Sequence, residues 1–259
     1  MYEELKREVA IANRILAEVG FANGVLASVG HISMRVPENP NHFLVKGRGY
    51  ALDALPAIRP EDMVVVDTEG ELVEAAPGCM QCFEIKMHSC VFRAYPEVQS
   101  VVHVHPRYTV LMSVLQSRLI PMCNEGSALV RKPLPVWNHN KLVQSDKEGS
   151  EVADLLVDSK AALLRGHGAV TRGASMEESF MAMYQLEEQA RMNYLGYCAA
   201  GPDHPGIPEE LLNEPALSRS ELSHFDKSET VLNSGAPRVN GVWAYLNDVV
   251  GKRLAAEGL

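Results

Sequence analysis

His103 and His105 stand two residues apart in Val101-Val102-His103-Val104-His105-Pro106, and a third histidine, His167, sits between glycines in Arg165-Gly166-His167-Gly168. Side chains at i and i+2 of a strand share one face, about 7 Å apart along the backbone. The first pair can therefore converge on one ion. Taken alone, it reads more readily as two half-exposed histidines at a strand end. The third histidine changes that reading, because flanking glycines let the backbone turn tightly and approach a ligand closely. Three imidazoles leave a coordination position open, as catalytic metal centres do. Zinc, manganese, iron and cobalt all tolerate such a set as divalent ions.

Other polar residues are weaker candidates. Cys79-Met80-Gln81-Cys82 has the spacing of a redox or zinc pair, but no second pair completes a four-sulfur site, so reduced cysteines are expected. Glu84 falls in the first turn of a helix expected over Phe83–Ala94. A carboxylate there either complements the helix dipole or serves as an acid/base beside the metal. His88 reads as structural or as a support for the ligands, and His139 as a surface residue. Gly47-Arg48-Gly49 is too short a signature for a phosphate cradle and reads as a turn.

The chain that must position these residues has 259 residues, 46% of them hydrophobic, enough for a sizeable core. A net charge of −9 with no Lys/Arg block argues against nucleic acid or an anionic membrane as partner. No apolar run approaches the roughly 20 residues of a membrane span, and Glu3 and Glu4 are unlike a signal peptide. Five cysteines, an odd number, fit reduced thiols in a cytoplasmic protein. Apolar spacing predicts helices over 2–19, 108–115, 148–159 and 176–197, the last with a Ser175/Glu178 capping box. Strands are expected at 29–37, 43–46, 63–67, 98–105, 120–122 and 161–165. Short strands joined by turns point to an antiparallel or mixed sheet. From Gly201 the prolines 202, 205, 208 and 215 mark a tail, ending in a helix near 238–254 whose apolar face is expected to pack on the same or a neighbouring subunit. The division is thus a catalytic domain over 1–200 and a tail over 201–259.

The chain resembles the class II aldolase/adducin family, from about Glu4 to Gly196. The resemblance is carried by Gly30-His31-Ile32-Ser33-Met34-Arg35, by Glu84, by the run from Tyr95 to His105, and by Arg165-Gly166-His167-Gly168. It implies an α/β/α sandwich around a mainly antiparallel, mixed sheet, usually in a homotetramer with active sites between subunits. It also implies that His103, His105 and His167 bind a divalent metal ion and that Glu84 is the acid/base.

The departures are informative. Where the family's sugar-phosphate aldolases hold phosphate with an Asn, a Thr/Gly loop and a Ser pair, this chain has His31, Lys46-Gly47-Arg48-Gly49 and Cys82-Phe83. Losing the hydroxyl pair removes strong phosphate donors and leaves an apolar wall. The chain is more similar to the family's non-oxidative decarboxylases of hydroxy-aromatic or ring-cleaved dicarboxylates, enzymes of aromatic compound catabolism. Substrate would be a small carboxylate anchored by Arg48, Arg35 or Arg107, because guanidinium pairs with carboxylate through two parallel bonds. His31 would act in the catalytic group by orienting the substrate, and Tyr245 and Trp243 would either close a neighbour's pocket or pack in the core. The competing expectations are an aldolase or epimerase on a sugar phosphate, and an adducin-like module without catalysis.

Overall fold

The computed structural model describes residues 2–214 and 240–259. The β-branched run ahead of the paired histidines forms β6 (Ser100–Val104), buried along its whole length. It pairs antiparallel with β1 (His31–Val36) on one side and β9 (Gly168–Gly173) on the other. Outward from β1 lie β2 (Asn39–Arg48), β3 (Met63–Asp67) and β4 (Leu72–Glu74); outward from β9 lie β8 (Ala161–Leu164) and β7 (Val136–Trp137). A short β5 (Met80–Gln81) adds to the end of β2. Every pairing is antiparallel except β7 with β8, so the expected mixed, mainly antiparallel sheet is found.

Helices cover both faces, which is why β6 reads as a nearly continuous apolar run. On one face Ile32, Val102 and Val104 pack with Ile15 and Leu16 of α1 (Glu3–Glu18) and Phe180 and Leu186 of α6 (Met176–Ala200). On the other, Phe43, Val45, Val101 and Val170 pack with Met87 and Val91 of α2 (Ile85–Ala94) and Val152 of α5 (Asp146–Asp154). Strand alternation puts His31, Ser33 and His103 on the α2 face.

Between these lie α3 (Arg107–Leu115), α4 (Ser127–Val130) and α7 (Glu209–Leu212), and the described chain closes with α8 (Gly241–Ala256). Pro215 and Arg238, at the edges of the expected tail, lie outside the described residues. Helix α8 does not wait for a neighbouring subunit. Its Trp243, Leu246, Val250 and Leu254 are buried in the core that α1 shares, and Arg14 of α1 grips Glu257 through two bonds of 2.7 and 2.8 Å. Residues 9–16 of α1 are all buried; the face of α1 away from the sheet is covered by the chain's own last helix.

Three other local expectations are corrected. Gly47 and Arg48 are not a free turn; they continue β2 by pairing with Gln81 and Met80. Residues 120–122 are extended but join no sheet. The amides of Asn193 and Gln189 on α6 bond the backbone of Ile120 and Met122 instead, in the place of a neighbouring strand. Strand β9 was not expected, because Gly168-Ala169-Val170-Thr171-Arg172-Gly173 carries small and polar residues that blur the strand pattern.

Helix α3 follows the paired histidines, and Pro106 before it has no side-chain acceptor for the first-turn amides. Glu187 from α6 supplies one, accepting from the amides of Tyr108 and Thr109 at 3.0 and 2.8 Å and from the Thr109 hydroxyl at 2.7 Å. Glu187→Ala should destabilise the fold by about 2 kcal/mol, the cost of a lost cap plus buried unsatisfied donors. Thermal unfolding checks this, with Glu187→Gln expected to fall between wild type and alanine.

Candidate metal centre

Four side chains from three parts of the chain meet at the end of β6. His103 and His105 come from β6 and the residue beyond it. His167 sits in the three-residue loop between paired Leu164 of β8 and Gly168 of β9, where Gly166 takes a φ of +66° that a side chain would resist. Glu84 immediately precedes α2, rather than lying in its first turn, and caps none of that helix's amides. The candidate donor atoms of Glu84, His103, His105 and His167 all lie within 4.8 Å of one another.

The proton inventory tests whether this group fits a cation. Nδ1 of His103 lies 3.0 Å from the carbonyl oxygen of Ala169; only an N–H can make that bond, so a neutral His103 turns a lone pair outward at Nε2. That lone pair faces Oε2 of Glu84 at 3.2 Å and Nε2 of His105 at 3.1 Å, and Nε2 of His167 stands 3.6 Å from Oε1 of Glu84. Both ring nitrogens of His167 are buried without a hydrogen-bond partner among the described residues. Two donors at about 2.1 Å from a tetrahedral ion sit roughly 3.4 Å apart. Lone pairs converging at such spacings fit a divalent cation and repel one another without it.

Electrostatics agree. Burial, then the neighbouring imidazoles, bring His105 down to about 3, so it is neutral at physiological pH. Burial raises the Glu84 carboxyl, but positive charge on His103 and His167 more than offsets this and holds it well below the usual carboxylate range; a cation among neutral rings would take over that part. The backbone N–H of Val143 donates to Glu84 Oε1 at 3.2 Å and fixes its orientation.

The other candidates separate clearly. His31 pairs in register with His103, and the two rings lie 5.5 Å apart. Arg48 lies over the ring of Phe83, 4.7 Å from its centroid and next in sequence to Glu84, while holding Asp53 at 3.3 Å. Arg35 is a correction: its guanidinium donates to the carbonyls of Val98, Pro40, Phe92 and Tyr95, which ties β1 to the end of α2 and leaves no bidentate face for a substrate. Arg107 is exposed at the start of α3, two residues past His105. Tyr245 is 66% exposed on α8, across the sheet from the histidines, so it can reach a centre only in another copy of the chain; Trp243 is core, 5.1 Å from Phe180. Burial pushes the Cys82 thiol up to about 12, which makes it no thiolate ligand.

Lys46 was missed as a site residue, and His88 was read only as structural or as a support for the ligands. Lys46 is 1% exposed, bonded to Asp53 at 2.8 Å and to the carbonyl of Ser28 at 3.0 Å, and its charge is felt at His31. Its signal was a lysine inside the apolar run Phe43-Leu44-Val45, which demands a buried partner. His88 is wholly buried between His31 and Ser33, and burial followed by His103 lowers it to about 3. Its unfolded value near 6.5 is higher, so the unfolded chain takes up protons first as pH falls. The stability this group contributes is complete above about 6.5 and drains away toward pH 3, on the order of a few kcal/mol. Denaturant midpoints between pH 7 and 4 should fall, and should fall less in His88→Gln.

Residues 7–194 match the class II aldolase and adducin N-terminal domain, and the chain belongs to that family. It is 30% identical to the 3,4-dihydroxyphthalate decarboxylase of Rhodococcus jostii (strain RHA1) over 179 residues, covering 66% of this chain and 73% of that one. It is 26% identical to the enzyme of the same name from Arthrobacter keyseri over 245 residues, 92% of this chain and 95% of that one. Among solved structures, L-fuculose 1-phosphate aldolase from Glaciozyma antarctica PI12 shares the fold with a TM-score of 0.72 and 22% identity, over 98% of this chain and 91% of that one. No helix among the described residues is long and apolar enough to cross a membrane.

Proposed function

We propose that the chain is a metal-dependent, non-oxidative decarboxylase of a hydroxylated aromatic dicarboxylic acid of the dihydroxyphthalate type. The observation that carries this reading is the converging set of Glu84 and three imidazoles beside a wall made by Phe83 and Arg48. A sugar phosphate would need hydroxyl donors there, and Cys82 and Phe83 offer none; Cys82 is 2% exposed. The names of the relatives point the same way.

His103, His105 and His167 would hold the ion, with Glu84 beside them free to act as the acid/base. When bound, a divalent ion supplies Lewis-acid polarisation of a substrate oxygen, worth several kcal/mol. The remaining work falls to the chain. Phe83 lies against the ring, and Arg48 pairs with the carboxylate that is retained. Lys46 and Arg48 around Asp53 leave one net positive charge beside the site for an anionic acid. Glu84, ionised, accepts the proton of a ring hydroxyl. As the carbon–carbon bond breaks and carbon dioxide leaves, Glu84 returns that proton to the ring carbon holding the electron pair. His31 orients an oxygen of the substrate. Arg107, two residues past His105, is a second anchor on the same chain, and a homo-oligomer would add a neighbour's Tyr245 to the pocket.

The test is carbon dioxide release from 3,4-dihydroxyphthalate together with metal analysis of the purified protein. About one ion per chain is expected, with turnover abolished by a chelator and restored by a divalent metal. Turnover that persists after complete chelation would sink the reading, as would an aldehyde product from a sugar phosphate.

A further inference from the structure

His31 has one ring nitrogen committed inside the protein and one left over. Its Nδ1 lies 2.7 Å from Nε2 of His88, and Nδ1 of His88 lies 2.7 Å from Oγ of Ser33. Ser33 and His88 are wholly buried and His31 is 4% exposed. None of the described residues bonds Nε2 of His31. The placement follows from the elements: His31 and Ser33 alternate on one face of β1, and His88 stands one helical turn beyond Glu84 on α2.

Each of these groups can donate or accept, so the row has two self-consistent proton arrangements. In the first, Ser33 donates to the carbonyl of Val101, His88 donates from Nδ1 to Ser33, and His31 donates from Nδ1 to His88; Nε2 of His31 is then a lone pair. In the second, Ser33 donates to Nδ1 of His88, and His88 donates from Nε2 to Nδ1 of His31, which carries its proton on Nε2. The lengths decide. Ser33 to Val101 is 3.4 Å, beyond the 2.5–3.0 Å range of O–H···O bonds; the two 2.7 Å contacts occur in both arrangements, but only the second sends the Ser33 hydroxyl proton into one of them. The first arrangement spends a buried hydroxyl proton on almost nothing, at a cost of a kind buried groups avoid.

We infer that Ser33 and His88 are positioning residues that hold His31 as a neutral hydrogen-bond donor, its N–H on Nε2, toward an anionic oxygen of the substrate. This rests on the acid-binding reading of the site and deepens it. His31 is no base: it selects a carboxylate or phenolate oxygen over a hydroxyl whose proton must be removed. Proton removal is left to Glu84.

The experiment reads the tautomer directly. Zinc-loaded protein carrying 15N-labelled histidine is recorded by long-range 1H–15N correlation, with His31→Gln assigning the ring. Nε2 of His31 should appear as the protonated, pyrrole-type nitrogen and Nδ1 as pyridine-type; the opposite pattern overturns the inference. Ser33→Ala should mix the two tautomers and lower kcat/KM for 3,4-dihydroxyphthalate about tenfold, the worth of one bond to a charged oxygen, with bound zinc unchanged. Ser33→Thr should restore both. Loss of turnover in Ser33→Ala with the His31 spectrum unmoved overturns it too. If the decarboxylation reading itself fails, no acid is turned over, yet the wild-type spectrum still decides the proton arrangement.

Discussion

His103→Ala is expected to remove the bound ion and the activity together. His103 is wholly buried at the middle of the cluster, 3.2 Å from Glu84 and 3.1 Å from His105, with its tautomer fixed by the Ala169 carbonyl. Structural four-donor zinc sites bind with about 10–16 kcal/mol, several from each donor. One lost imidazole takes several of those, so affinity should fall by roughly a thousandfold or more. Glu84 would also lose the neighbour that offsets its burial, and its carboxyl would titrate upward. Metal per chain after dialysis, and carbon dioxide release, are the measurements; circular dichroism keeps misfolding apart from loss of the ligand. A variant that retains stoichiometric metal would show that the ion is held elsewhere.

Gly168→Ala should weaken the centre without touching a donor atom. A Cβ there would lie 2.4 Å from the Val104 carbonyl, 2.9 Å from Cδ2 of His105 and 3.1 Å from Cε1 of His103. The backbone contact cannot yield cheaply, so β9 and its loop must move away from β6, carrying His167 with them. Displacing ligands by changing what supports them typically costs ten- to a hundredfold in metal affinity, and a loss of about a hundredfold is expected. Competition with a chelator of known affinity measures it. An unchanged affinity would mean that the loop between β8 and β9 does not set the position of His167.

Much of this was legible in the residues themselves. The alternation that puts 103 and 105 on one face, and glycines around 167, are local rules, and the sheet obeys them. What local rules miss is anything decided by a distant partner. Arg35 has the residue type of a carboxylate anchor, but four backbone carbonyls from 40, 92, 95 and 98 claim it. Residues 120–122 have strand composition, but two side-chain amides on α6 take their hydrogen bonds. His88 could be read no further than structural or supporting the ligands, because the spacing from Glu84 says only that the two share a helix face. Its bonds to 31 and 33 arise from the antiparallel register of β1 on β6, which no single segment contains. The apolar stripe of α8 was read correctly as needing cover, and its cover proved to be α1 of the same chain.

That last contact has a practical bearing. Arg14–Glu257 and Arg253–Glu18 fasten the final turn of α8 to α1, on the side of the sheet facing away from the histidines. A handle fused behind Leu259 would leave the molecule from that rear side. Protein captured on a sensor chip by such a handle should present the pole carrying Glu84 and the three histidines to the flowing solution.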